Sequence, residues 1–209
     1  MRIAPEGRPF IAGAIVIAAV LALLGWWIAF VVWLPVAIWV VAFFRDPDRA
    51  GERGDALLIA PADGKIVSVL EVDEPAFFGG RALRVSIFMN VFDCHVNRYP
   101  CDGTVAYRHY NQGRFGHAGT DKASLDNEQS SIGLETAHGR VLLRQIAGLV
   151  ARRIVTDHSV GTVVRQGERL GMIRFGSRVD VFLPRGTRLR VAVGDRTLVG
   201  QTVIAEWTS

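Results

Sequence analysis

Hydrophobic and polar positions divide this chain into two regimes. From Pro9 to Phe44 the run PFIAGAIVIAAVLALLGWWIAFVVWLPVAIWVVAFF carries no charged side chain. Beyond it, short segments dense in β-branched residues (KIVSVLEV, ALRVSIFM, RVLLRQIAG, RRIVT, LRVAV) are separated by turn signals such as PADG, EPAFFGG, RYPCDG, NQGRFG, AHG and VGD. That rhythm predicts short strands and hairpins, hence a mainly β fold. Only GTDKASLDNEQSS resists it, and this segment reads as an ordered loop or a short helix. From Gly161 to Glu206, glycines fall at turns and each V-x-x-G-[DE] phrase sets a tight turn between apolar strands. The string suits a flattened barrel-sandwich of the biotinyl and lipoyl carrier type, and it makes Gly176-Ser177 a bend between strands.

The uncharged run is too long for one straight crossing. As a single helix it would extend roughly 54 Å against a hydrocarbon layer of about 30 Å. It divides at Gly25-Trp26-Trp27, and arginines bracket both ends: Arg2 and Arg8 before it, Arg45, Arg49 and Arg53 after it. Cationic flanks favour the cytoplasmic side, so a helical hairpin with both ends on that side satisfies the charge rule better than one span. A cleaved export signal is the competing reading, but the run is too long and no small-residue cleavage site precedes RDPDR. The expected organisation is a hydrophobic membrane-anchoring segment over 1–45 and a β-rich domain over 46–209.

At 209 residues the chain holds one ordinary domain and an appendage. Lys and Arg number 24 against 20 Asp and Glu, and Lys65 and Lys122 are the only lysines. Basic charge beside an apolar anchor points to an anionic lipid surface. No helix-turn-helix, zinc-finger or aromatic RNA-binding pattern supports a nucleic acid partner. Cys94 and Cys101 form neither a C-x-x-C motif nor a metal-ligand set and read as buried free thiols; no metal is expected.

A Gly-Ser pair alone is ordinary turn chemistry. It gains weight from its company. APADGKI at 60–66, FMNVFDCHVNRYPCDG at 88–103, GRFGHAGTDKASLDNEQS at 113–130, GLVARRIV at 148–155 and the phrase ending in MIRFGSRVD at 172–180 occur in this order. With FFRDPDR after the apolar run, these resemble the phosphatidylserine decarboxylases, specifically the short membrane-anchored form, over nearly the whole chain.

The resemblance implies a proenzyme that breaks itself between Gly176 and Ser177, giving a β chain of 1–176 and an α chain of 177–209. In that chemistry the serine hydroxyl attacks the preceding carbonyl, and the resulting ester loses the serine oxygen by β-elimination. Hydrolysis of the dehydroalanine then releases ammonia and leaves a pyruvoyl group at position 177. This ketone would form a Schiff base with the amine of phosphatidylserine and accept the electrons released with carbon dioxide, yielding phosphatidylethanolamine. The α and β chains would stay together as a heterodimer or a higher oligomer, at the cytoplasmic face of the cell (inner) membrane.

The resemblance also implies roles for single residues. His95 in DCHVNRYP is the candidate for proton transfer, histidine being the side chain suited to it near neutral pH. Asp63 in PADGK matches an aspartate that assists self-cleavage. His117, Asn127 and Glu128 would line the head-group pocket, and Arg98, Arg152 and Arg153 would hold the lipid phosphate or the substrate carboxylate. The chain departs from the longer branch of the family in carrying Arg98 where that branch has a second histidine, so the base that activates Ser177 stays open. Two rivals remain: a non-catalytic membrane-tethered binding or carrier module, which lacks its attachment lysine here, and a zinc peptidase, which lacks its H-x-H pair.

Overall fold

The computed structural model describes residues 2–113, 127–148, 153–174 and 177–208. The chain divides into two compact units, Met1–Asp48 and Arg49–Ser209. The first is an antiparallel helix pair, α1 (Arg8–Leu23) and α2 (Trp27–Phe43). Gly25 at φ 70 makes the reversal between them, a conformation in which a side chain would be strained. The helices touch through the Trp33 indole N–H, which donates to the Ala14 carbonyl at 3.0 Å. At the open end Phe10 stacks on Phe44 at 5.2 Å, and strands β1 (Arg2–Ile3) and β2 (Arg45–Asp46) pair antiparallel.

Each helix is about 25 Å long, slightly shorter than a hydrocarbon layer of about 30 Å. Their outer surfaces are apolar, with Leu23 87% and Ile28 84% exposed; such a surface suits lipid rather than water. Among the described residues, Pro5–Leu23 is the one helical stretch long and apolar enough to cross a membrane, and Trp27–Phe43 is apolar but shorter.

Among the described residues the regular elements of the second unit are strands: β3 (Leu57–Ile59), β4 (Gly64–Glu74), β5 (Gly80–Met89), β6 (Val96–Arg98), β7 (Gly103–Asn111), β8 (Gln129–Thr136), β9 (Gly139–Ala147), β10 (Ile154–Thr156), β11 (Val163–Val164), β12 (Arg169–Ile173), β13 (Ser177–Leu183), β14 (Arg188–Leu189), β15 (Arg196–Thr197) and β16 (Val203–Glu206). Eight of these form an antiparallel sheet in the order β11-β7-β8-β9-β13-β5-β4-β15, curled into half a barrel. Two three-stranded sheets, β10-β12-β6 and β14-β16-β3, complete the unit. The mainly β architecture with an N-terminal helix pair is the one expected from the sequence.

β13 decides where the chemistry can be. It inserts between two hairpins, β4-β5 and β8-β9, and pairs with β5 on one edge and β9 on the other. All seven of its residues are buried. By strand alternation Val179, Val181 and Leu183 join the main core beside Ile132, Leu143, Ile87 and Met89, whereas Phe182 packs on the opposite face with Ala82 and Leu142.

Two expectations need correction. LRVAV, residues 189–193, is strand only at Leu189, the end of β14, because the Asp195 carboxylate accepts from Ala192 N at 2.8 Å and folds residues 192–195 into a turn. The end of GTDKASLDNEQSS is neither loop nor helix: Gln129–Ser131 open β8, paired with Asn111, Tyr110 and His109 of β7. The part over 119–126 lies outside the described residues.

Candidate active site

Ser177 is the first residue of β13 and is fully buried. Its register partners are Met89 on β5 and Ala147 on β9, and around them lie Ala62, Ile66, Ile87, Ile173 and Val179. In this apolar setting the Ser177 hydroxyl has no hydrogen-bond partner among the described residues. A buried unsatisfied hydroxyl costs about 1–3 kcal/mol, which an ordinary structural serine avoids by bonding to backbone. The residue present therefore fits a group that is to be converted into something else. Gly176, the other half of the expected cleavage site, and His117 lie outside the described residues, as does Arg152.

The opposite face of the same strand end carries a buried ion pair. Arg178 and Asp180 form an ion pair at 2.9 and 3.0 Å, with side chains only 2% and 0% exposed. Both edges and the back of the residues following Ser177 are thus fixed.

His95 is buried immediately before β6. Its Nδ1 lies 3.0 Å from the Asp93 carbonyl. A carbonyl can only accept, so Nδ1 carries the proton, and in the neutral ring the lone pair sits on Nε2, as a general base requires. Asn97, two residues on and on the same side of the chain, directs its amide toward the sulfur of Met89 at 3.8 Å. The His95 carbonyl accepts from Ile173 N at 3.3 Å, which ties the segment to the strand leading toward Ser177.

Asp63 is buried and gathers donors. Both guanidinium arms of Arg49 bond to it, and Val199 N and Cys94 N donate at 2.7 and 3.2 Å. The hydrogen bond to Asp63 holds the Arg49 guanidinium above its ordinary pKa. The next residue, Gly64, has φ 150, and a Cβ there would fall 2.2 Å from the Phe88 carbonyl. The Asp63 carboxylate thus holds the amide of Cys94, the residue before His95.

Asn127 and Glu128 reach the same strand end. Asn127 donates to the Ala147 carbonyl at 2.7 Å, and the Glu128 carbonyl accepts from Ala147 N at 2.9 Å, so this pair clamps the residue beside Ser177. The Glu128 carboxylate accepts the Tyr110 hydroxyl at 2.7 Å, which pushes Tyr110 up to about 12. Arg174 N donates to the Arg153 carbonyl at 3.3 Å. Arg98 turns elsewhere, its guanidinium donating to the Gly167 carbonyl at 3.0 Å.

Three contributions were not assigned from the sequence. Arg49, the partner of Asp63, closes the phrase FFRDPDR but was given no role beyond flanking the apolar run. Asn97 and Gln145 form a buried chain, Gln145 donating to Asn97 at 2.8 Å and accepting from Thr156 at 3.1 Å. Asn97 stands inside the phrase around His95, which was the available signal. Cys94 and Cys101 are free and buried as expected, and burial pushes the Cys101 thiol up to about 12. Among the described residues no group of three or more His, Cys, Asp or Glu side chains is placed to hold a metal ion.

The central strand of the half-barrel thus opens on a buried serine whose hydroxyl has no partner among the described residues. A sequence profile of the phosphatidylserine decarboxylase family matches residues 36–205, and the chain belongs to that family. It is 51% identical over 203 residues to the phosphatidylserine decarboxylase proenzyme of Symbiobacterium thermophilum, covering 97% of this chain and 94% of the relative. The proenzymes of Syntrophotalea carbinolica and Nitrosomonas europaea are each 47% identical, over 97% and 98% of this chain and 95% of each relative.

Proposed function

We propose that this chain is a self-cleaving, pyruvoyl-dependent decarboxylase that converts phosphatidylserine to phosphatidylethanolamine. The observation that carries the reading is the buried Ser177 hydroxyl, without a partner among the described residues, at the head of a strand bonded on both edges. In processing, the Ser177 oxygen attacks the Gly176 carbonyl carbon and the 176–177 amide becomes an ester. Loss of a Cα proton and cleavage of the Cβ–O bond then release Gly176 as a carboxylate. Hydrolysis of the resulting dehydroalanine gives the ketone and ammonia. The products are 1–176 and 177–209, and the two β-ladders on β13 hold them together.

The pyruvoyl group so formed at position 177 supplies the electron sink for decarboxylation. The rest is done by ordinary side chains. His95 takes the hydroxyl proton of Ser177 at Nε2 and serves as the proton carrier near position 177 during turnover. Asp63, paired with Arg49, is a positioning residue that keeps the Cys94–His95 backbone in place. Asn127 and Glu128 set the position of Ala147 and border the space for the polar head group, with Arg153 beside them as a cation for the substrate carboxylate or phosphate. The apolar environment from Met89, Ala147 and Ile173 excludes water from the proton-transfer step. The helix pair holds the enzyme on the cell membrane with both ends at the cytoplasmic face, since its arginines lie at both ends of the apolar run.

The test is release of carbon dioxide from phosphatidylserine in mixed micelles by the purified full chain, with and without phenylhydrazine. Turnover that is abolished by the carbonyl reagent is expected. Turnover that survives saturating phenylhydrazine would contradict the pyruvoyl reading.

A further inference from the structure

Ser177 is completely buried, yet the proposed substrate is a bilayer lipid, so some rim of the β unit must meet the bilayer for the head group to enter. The turn Asn90–Asp93, which joins β5 to the His95 segment, has the required properties. It begins one residue beyond Met89, the register partner of Ser177. Its backbone is fixed from within: Asn90 N donates to the Asp93 carboxylate at 2.9 Å, Phe92 N to the Asn90 side chain at 2.8 Å, and Asp93 N to the Asn90 carbonyl at 3.0 Å. Despite this order the turn presents Phe92, 72% exposed, with Val91 37% exposed beside it. A rigid turn that holds an aromatic ring outward is costly in water and useful at a lipid surface.

The neighbouring segment extends the same rim. Arg196 donates to Asp93 at 2.8 Å while its side chain stays 66% exposed. Val199 N and Cys94 N both bond to Asp63, which ties the two segments at a second point. Leu198, on the same face of its segment as Arg196, is 45% exposed, and exposed Lys65 is the cross-strand partner of Arg196. Apolar tips beside a lysine and an arginine match the interface of an anionic bilayer, where rings enter the head-group layer and cations meet phosphates and carboxylates.

We infer that the Val91–Phe92 turn, with Leu198, Arg196 and Lys65, is the surface by which the β unit docks on the anionic bilayer, placing the entrance to position 177 at the head-group layer. The inference rests on the decarboxylase reading. The same turn carries the Asp93 carbonyl that holds His95, so docking and the proton carrier share one rigid element.

The experiment compares the full chain with Phe92→Asp on two substrates: phosphatidylserine in phosphatidylcholine vesicles, and a short-chain phosphatidylserine supplied to the detergent-solubilised enzyme as a monomer. Docking predicts a loss on the order of tenfold in vesicles with monomer turnover nearly unchanged. An unchanged rate in vesicles, or an equal loss on both substrates, overturns it. Wild-type protein that turns over neither substrate would defeat the decarboxylase reading instead. Should the charged variant fail to fold, a fluorophore on cysteine at position 92 is compared with one at position 163, since Val163 is 74% exposed on β11. Nitroxide-labelled lipid should quench the first and spare the second, and equal quenching overturns the docking surface.

Discussion

The two ends of the β8-β9 hairpin differ in almost every respect. At one end Asn127 and Glu128 clamp Ala147 beside Ser177, in a space so closed that a serine hydroxyl is left without a partner among the described residues. Roughly 27 Å along β9, the hairpin turn borders an open cavity of about 650 Å³ lined by Arg53, Cys101, Glu135, His138, Arg165 and Trp207. The open end is roomier, and its groups contact one another: His138 stacks on Trp207 at 5.6 Å and the Gln166 amide donates to the Leu57 and Pro100 carbonyls, while the Trp207 indole nitrogen is buried without a partner among the described residues. The closed end keeps one reactive group unreconciled. What separates the two ends is the kind of atom left over: a hydroxyl in an apolar enclosure at the closed end, an indole N–H beside an open cavity at the other.

Ser177→Ala is the strongest way to break that comparison. The account expects a chain that never divides and has no measurable decarboxylation, assayed by denaturing electrophoresis and carbon dioxide release. Cleavage in that variant would remove Ser177 from the chemistry. Next in size is the back of the same strand. Asp180→Ala removes the ion-pair partner of buried Arg178, and losing one member of a buried pair costs about 3–5 kcal/mol. For a domain of this size that is a fall in melting temperature of roughly 10 °C or more. A melting temperature unchanged within a degree would mean that the pair does not fix the strand.

The alkaline limb sharpens the contrast less dramatically. Burial raises Cys101 from 9.0 to about 12, and the hydrogen bond to Glu128 raises Tyr110 from 10.0 to about 12. Because the folded values lie above the unfolded ones, their stabilising contribution is complete below pH 9 and fades as pH rises toward 12. Cys101 alone accounts for a loss of about 1 kcal/mol at pH 10. Urea midpoints should be flat from pH 7 to pH 8.5 and fall above pH 9; a midpoint that rises there contradicts the sign. Smallest of all, His138→Ala at the open end removes an exposed stack worth at most about 1 kcal/mol and leaves chain division untouched. Slower division in that variant would tie the cavity to the active end.

Much of this was legible in the sequence because it is local. The break at Gly25-Trp26-Trp27 announced the helix pair through an uncharged run of the wrong length for one span. β4, β5 and β9 followed from β-branched runs between turn residues. LRVAV misled because its apolar pattern is that of a strand, while the Asp195 carboxylate, a short way downstream, captures the Ala192 amide and closes a turn. The site was legible only as separate motifs. That Asp63 would take Arg49, that Asn127 would clamp Ala147, and that Ser177 would lie between Met89 and Ala147 all depend on strand register across the sheet, which no local pattern encodes. The burial of Arg178 was equally hidden, since an arginine in an arginine-rich chain reads as surface.

The central claim is that the strand headed by Ser177 becomes a separate chain, and the denatured mass of the purified wild-type protein tests it most directly. The account predicts two species, one ending at Gly176 and one covering 177–209, the latter lighter by one ammonia than a peptide of the same residues that begins with an unmodified serine. A single undivided mass after prolonged incubation would contradict it and leave Ser177 as a buried serine without chemistry.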